Sequence, residues 1–296
     1  MQKVRIITHS GCDLPFEEAK KANIIMLPDI VIFGENQYRN NIDILPDEFY
    51  SRLDKLDKSE HLPTSSHPNV ASFMDAYRMA AVNNNTEENI TEIICITNTS
   101  KMAGTYNTAS LAASLIKEEE EDFQPDIFVY DSQQISFGMS YLSLEAAKMA
   151  KDGACAKEIL EMLDELLPRV GVYFIMKSLE YARRGGRIGA IKAATVDALG
   201  VKPLLSFSDG TVSDISLNRT FKTGIRSIFQ RFQKYGCTDS DVFIFHANNE
   251  KDALTLKQMI QDKYPEVEPK IEWVGPVIGL YTGSGCVGIA FKKREP

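Results

Sequence analysis

Three stretches concentrate side chains able to hold an anion: residues 64–68 (Thr-Ser-Ser-His-Pro), 97–105 and 275–288. Their hydroxyls donate hydrogen bonds, and their glycines let the backbone approach a ligand closely or adopt positive φ. The second stretch follows a β-rich run containing Ile93, Ile94, Cys95 and Ile96 and precedes a helical pattern through Ala109, Leu111, Ala112 and Leu115. A strand that turns into a helix in this way aims unpaired N–H groups, aided by the helix dipole, at one spot that suits a carboxylate or phosphate. An ordinary βα turn capped by Thr or Ser reads the same way, so both readings stand.

The stretch 275–288, GPVIGLYTGSGCVG, reads as a glycine-rich loop. It lacks the phosphate-loop spacing and its Lys. It precedes a strand, so it is no dinucleotide fingerprint. It suits either tight packing or a ligand. Arg183, Arg184 and Arg187 around Gly185 and Gly186 form either a solvated loop or a site for a carboxylate, a phosphate or an acidic partner surface. Ser66 beside His67 invites a nucleophile-and-base reading, yet adjacent residues in a strand point apart and no Gly-x-Ser-x-Gly elbow supports it. Five dispersed cysteines and four histidines lack metal-ligand rhythm.

Alternating patterns position these residues. Strands are expected over 4–8, 24–27, 91–97 and 126–130, with helices over 16–22, 46–56, 69–82, 136–151 and 155–167. Strand–helix alternation is the signature of a mostly parallel sheet covered on both faces. A hairpin is expected over 29–39 about Gly34. Hydroxyls ahead of residue 69 are expected either to cap that helix or to bind a ligand. Beyond Pro168 the order changes. Strands over 170–176, 201–207 and 211–216, the last two flanking Asp209-Gly210, are joined by helices over 220–234 and 249–263 and strands over 241–246, 271–274 and 286–291. The expected class is therefore α/β in two domains. An N-terminal mostly parallel α/β/α sheet spans 1–167 and a C-terminal α+β domain spans 168–296.

Composition agrees with an ordinary folded chain. Of 296 residues, 44% are hydrophobic and 25% charged. Lys plus Arg number 33 against 41 Asp plus Glu, a net charge of −8. That balance argues against broad binding to nucleic acid or anionic membranes. The acidic run 118–122 reads as a solvated helix end. Odd, scattered cysteines suit a reducing compartment, and no run approaches membrane-spanning length, so a soluble cytoplasmic protein without stable membrane insertion is expected.

Taken in order, these stretches resemble the DegV family of bacterial fatty-acid-binding proteins. The resemblance rests on Ile7-Thr8-His9-Ser10-Gly11-Cys12-Asp13-Leu14-Pro15, Thr64-Ser65-Ser66-His67-Pro68, Thr99-Ser100-Lys101-Met102-Ala103-Gly104-Thr105-Tyr106 and Tyr130-Asp131-Ser132. It continues through Leu179-Glu180-Tyr181, Arg183-Arg184-Gly185-Gly186-Arg187-Ile188, Val201-Lys202-Pro203-Leu204-Leu205, Asp209-Gly210, Arg219 and the loop over 283–288. It implies the two-domain EDD fold, with a ligand cleft between the domains that buries an acyl tail and leaves the carboxylate at the interface. It further implies a carrier with no cofactor, which presents the long-chain fatty acid to a separate fatty acid kinase.

The family's carboxylate ligands fall on Ser65, Ala103 and Tyr281, with Ser66, Gly104, Thr105 and Thr282 beside them. Arg183, Arg184, Arg187 and Arg219 match arginines that meet the kinase. Ala103 replaces a serine, Tyr281 a histidine, and His9 a usual Asp. A hydrogen bond lost to a charged group costs about 1.5–3 kcal/mol. Gly104 and Thr105 amides and the Tyr281 hydroxyl are the expected compensation. Two alternatives remain open: a serine-dependent hydrolase or acyl-transferring enzyme using Ser65 or Ser66, and a binding module that has lost fatty-acid recognition.

Overall fold

The computed structural model describes residues 3–57, 61–82, 90–187 and 201–295. Ile188 of the arginine stretch lies outside them. The chain forms two compact units, one of Met1–Ile30 with Ser66–Pro168, the other of Val31–Ser65 with Arg169–Pro296. The second unit thus takes in a segment that a continuous division at 167/168 leaves in the first.

The first unit is built on a wholly parallel sheet in the order Ile24–Leu27, Val4–His9, Glu92–Thr97, Asp126–Asp131. Strand Val4–His9 is buried throughout, as a strand covered on both faces must be. On one face, helices Val70–Ala81 and Thr105–Glu119 pack Phe73, Tyr77, Ala109 and Ile116 onto Ile7, Ile93 and Cys95. The Tyr77 hydroxyl donates to the Ala109 carbonyl at 2.9 Å, tying those helices together. Helices Ser136–Lys151 and Ala156–Leu166 also pack on the sheet. The cap of helix Val70–Ala81 is Asn69, whose Oδ1 accepts from the Ser72 amide at 2.9 Å. The hydroxyls before it do not cap that helix.

In the second unit a six-stranded sheet runs Thr211–Asn218, Lys202–Ser208, Val170–Ile175, Val287–Lys292, Val242–His246, Lys270–Trp273. All neighbours are antiparallel except the last pair. Asp209 and Gly210 turn the hairpin with φ of 50° and 71°, matching the strand twist. Helices Phe221–Tyr235 and Glu250–Lys263 cover a core that includes Ile175, Phe232, Ile244, Leu256, Ile289 and Phe291.

The inserted stretch carries a three-stranded sheet, Asn36–Arg39, Ile30–Phe33 and Thr64–Ser66, and helix Pro46–Leu53. Residues 64–66 are therefore strand. Long-range contacts explain why this stretch folds with the C-terminal half. Tyr50 donates to the Val274 carbonyl at 2.9 Å and stacks on Trp273 at 6.0 Å between centroids. The stretch 275–288 departs from the expected loop, since Pro276–Thr282 is a helix. Pro276 opens it at a position where its missing N–H costs nothing, and Val277, Ile278 and Leu280 are buried.

Candidate functional site

A parallel sheet brings the ends of its strands to one edge, where the following turns collect. In the first unit, strand Val4–His9 delivers His9 there, 1% exposed. Its Nδ1 lies 2.9 Å from Asp29 Oδ2, which also accepts from Ser10 Oγ at 2.9 Å. The Asn98 amide donates to His9 Nε2 at 3.2 Å. An accepting Nε2 leaves the proton on Nδ1, pointing at the Asp29 carboxylate. The Gly11 amide, 3.3 Å from Nδ1, is the weaker claim on that atom. His9 thus holds the start of the 98–104 turn through Asn98.

The amides of residues 99–102 are also engaged. Ser100 N–H points at the Asp131 carboxylate at 3.3 Å, Thr99 N–H at the Gln134 carbonyl at 2.9 Å, and Met102 N–H at the Thr99 carbonyl at 3.2 Å. Helix Thr105–Glu119 then starts at Gly104 with no side-chain cap. Its first N–H groups have no intrahelical acceptor by geometry. Thr105 is fully buried, and its Oγ1 has no hydrogen-bond partner. An unpartnered buried hydroxyl beside uncapped amides suits an anionic oxygen. Ala103, half-buried, contributes no polar side-chain atom.

Spacing alone did not show the part played by His67. Its Nε2 donates to Thr108 Oγ1 at 2.9 Å, and Thr108 Oγ1 donates onward to the Gly104 carbonyl at 3.2 Å. The ring lies over Gly104, where an added methyl would meet Cε1 at 3.4 Å. Burial pushes the His67 pKa down, so the neutral imidazole is favoured. Ser66 Oγ donates to the His67 carbonyl at 3.2 Å. His67 therefore positions the helix start and is not paired with Ser66 as a base.

In the second unit, Ser65 Oγ and the Tyr281 hydroxyl lie 3.2 Å apart. Tyr281 sits near the end of helix Pro276–Thr282, and two contacts fix its ring. Arg187 stacks its guanidinium 4.8 Å from the ring centroid and donates to the Gly185 carbonyl at 2.9 Å. A methyl on Gly185 would meet Tyr281 Cδ1 at 2.8 Å, so only glycine admits the ring there. Gly283 ends the helix at φ 60° and ψ 177°, a conformation essentially restricted to glycine, with the Tyr181 ring 2.2 Å from any added Cβ. The Thr282 and Ser284 hydroxyls are buried without partners. Arg183, Arg184, Arg187 and Arg219 are all exposed. Arg183 pairs with Glu180 at 2.8 Å.

Ser65, Tyr281 and Thr282 thus form one group, and Ser66, Ala103, Gly104 and Thr105 stand in the other unit. Asp29, Asn98 and Thr108 are supporting residues that spacing did not reveal. Their link to the turn depends on long-range contacts. Among the described residues no cluster of three His, Cys, Asp or Glu side chains is placed to hold a metal, and all five cysteines are free. No described helix is long and apolar enough to cross a membrane.

Fold and site together define a two-unit α/β protein whose uncapped amides and unpartnered hydroxyls suit an anionic oxygen. The family model described as "Uncharacterised protein, DegV family" matches residues 3–294, and the chain belongs to the DegV family. A DegV domain-containing protein of Halalkalibacterium halodurans is 31% identical over 293 residues, covering 98% of this chain and 99% of that protein. Among solved structures, DegV of Bacillus subtilis, a fatty acid binding protein, is 27% identical with a TM-score of 0.84, covering 99% of this chain and 100% of that one. A stearic acid-binding protein from Eubacterium ventriosum is also 27% identical with a TM-score of 0.84, covering 98% and 97% of the two chains.

Proposed function

We propose that this protein binds a long-chain fatty acid, or a similar amphiphilic carboxylate, as a carrier. The observation that carries the proposal is the Ser65–Tyr281 hydroxyl pair, with Arg187 seated on the tyrosine ring. Tyr281 stands where the family resemblance places a histidine, and a phenol can donate to a carboxylate as an imidazole does. The buried Thr282 hydroxyl has no internal partner and is a further donor for the same head group. Fatty-acid binding by relatives 27% identical over nearly the whole chain supports the reading. In the first unit the Gly104–Thr105 helix start is the second candidate for carboxylate recognition. It acts through amides and the Thr105 hydroxyl, since Ala103 supplies no side-chain donor.

The carried acid is presented to a separate acyl kinase, which performs the phosphoryl transfer. The exposed arginines Arg183, Arg184, Arg187 and Arg219 are the surface for that partner. Five free thiols support a reducing, cytoplasmic setting. Ser65→Ala is expected to weaken stearate binding about tenfold or more, the loss of one hydrogen bond to a charged group. Isothermal titration of stearate measures it. Unchanged affinity means the head group is held elsewhere.

A further inference from the structure

A groove in the first unit, remote in sequence from both candidate groups, holds a cation that no described residue neutralises. Arg5 is the second residue of strand Val4–His9 and is only 9% exposed. Its Nη1 donates to Asn23 Oδ1, while its Nε is buried without an acceptor. No carboxylate pairs with it among the described residues. Buried arginines are normally paired, because desolvating a guanidinium is costly without an anion. Burial correspondingly pushes the Arg5 pKa down, with no neighbouring acid to oppose it.

Arg5 opens onto a groove of about 600 Å³ shared with Lys20, Asn23, Met26, Met79 and Val82. Lys20 is exposed and makes no ion pair among the described residues. Met79 and Val82 are 58% and 57% exposed, so the groove also offers uncovered apolar surface. Glu17 also lines the groove, the one acid among the described lining residues, and does not pair with Arg5.

We infer that the Arg5 groove is a second ligand site, for a small organic carboxylate. The carboxylate would meet the Arg5 guanidinium where it lines the groove, with Lys20 beside it, and a compact apolar body would rest on Met26, Met79 and Val82. A guanidinium that has no paired acid among the described residues offers a carboxylate charge-assisted hydrogen bonds.

The test uses full-length protein saturated with stearate, so that the proposed carrier site is occupied, and titrates 4-fluorobenzoate while its fluorine resonance is followed by NMR. Saturable binding is expected. Arg5→Met is expected to weaken it about tenfold or more, the scale of a charge-assisted pair, with Arg5→Lys intermediate. Without ligand, Arg5→Met is expected to melt no lower than wild type, since it removes an unpaired buried charge. If that variant does not fold, Arg5→Lys and Val82→Asp decide, each expected to weaken binding. Equal affinity in wild type and the Arg5 variants, or no saturable binding, overturns the inference. Octanoate is expected to displace the probe better than equimolar inorganic phosphate, and displacement by phosphate alone overturns the carboxylate assignment.

Discussion

Ser65 and Tyr281 form a hydroxyl pair 3.2 Å apart, in which one hydroxyl donates to the other and the accepting one keeps its proton for a third atom. A carboxylate that accepts from the pair would therefore couple them. Tyr281→Phe is expected to lower fatty-acid affinity by about tenfold. In a double-mutant cycle with Ser65→Ala the losses should be less than additive, as for residues sharing one partner. Additive losses would show that the two act on different groups. Thr105 presents the opposite case, a fully buried hydroxyl with nothing to bond. Thr105→Val is expected to leave the ligand-free protein at least as stable by thermal melting, because the isostere removes an unsatisfied group. A drop in stability would mean that the hydroxyl has a structural partner.

His67 and His246 add a pH dependence. Burial lowers both imidazole pKa values in the folded state. The stability contributed by their neutral forms is then complete above the unfolded value, about 6.5, and is lost as pH falls through it toward the lower folded values. Urea midpoints should fall between pH 7.5 and pH 5.5. His67→Gln should show a smaller fall than wild type, and an identical fall would contradict the assignment.

Among the elements, helix Pro276–Thr282 matters most to the candidate site, because it carries Tyr281 and Thr282. Its end depends on Gly283, so Gly283→Ala is expected to destabilise the protein by about 1–3 kcal/mol through backbone strain alone, with the Tyr181 clash adding to it. Chemical denaturation measures it, and a neutral effect would show that the turn relaxes freely. This helix also shows where sequence periodicity stops being informative. Seven residues containing Gly279 and bracketed by Gly275 and Gly283 read as loop, and the buried Val277, Ile278 and Leu280 show their pattern only once Tyr50 packs against Gly279. The parallel strands around Ile6 and Ile94 were legible because a doubly covered strand is written as a largely apolar run. The hairpin at Asp209-Gly210 was legible for its turn chemistry. Membership of Val31–Ser65 in the second unit was not, since it rests on contacts such as Tyr50 to Val274, 224 positions apart. The hydroxyls of Ser65 and Thr105 could be named from their motifs. That Ser65 meets Tyr281 and that His67 braces Gly104 are facts of three-dimensional packing.

At the scale of the whole molecule, the proposed roles of carriage and presentation should separate by charge. A charge reversal at Arg219, exposed and without an ion pair among the described residues, is expected to abolish capture of an acyl kinase while leaving stearate affinity unchanged. Pull-down beside calorimetry reads both, and loss of affinity would place Arg219 in the ligand site. Bound fatty acid should also stabilise the fold by mass action, about 2.7 kcal/mol at a hundredfold excess over Kd. The most direct test of carriage is mass spectrometry of lipid extracted from the protein purified under native conditions. Long-chain fatty acid in stoichiometric amount is expected, reduced in Ser65→Ala with Tyr281→Phe. A protein that is consistently empty, and that fails to take up stearate when offered it, would contradict the proposal.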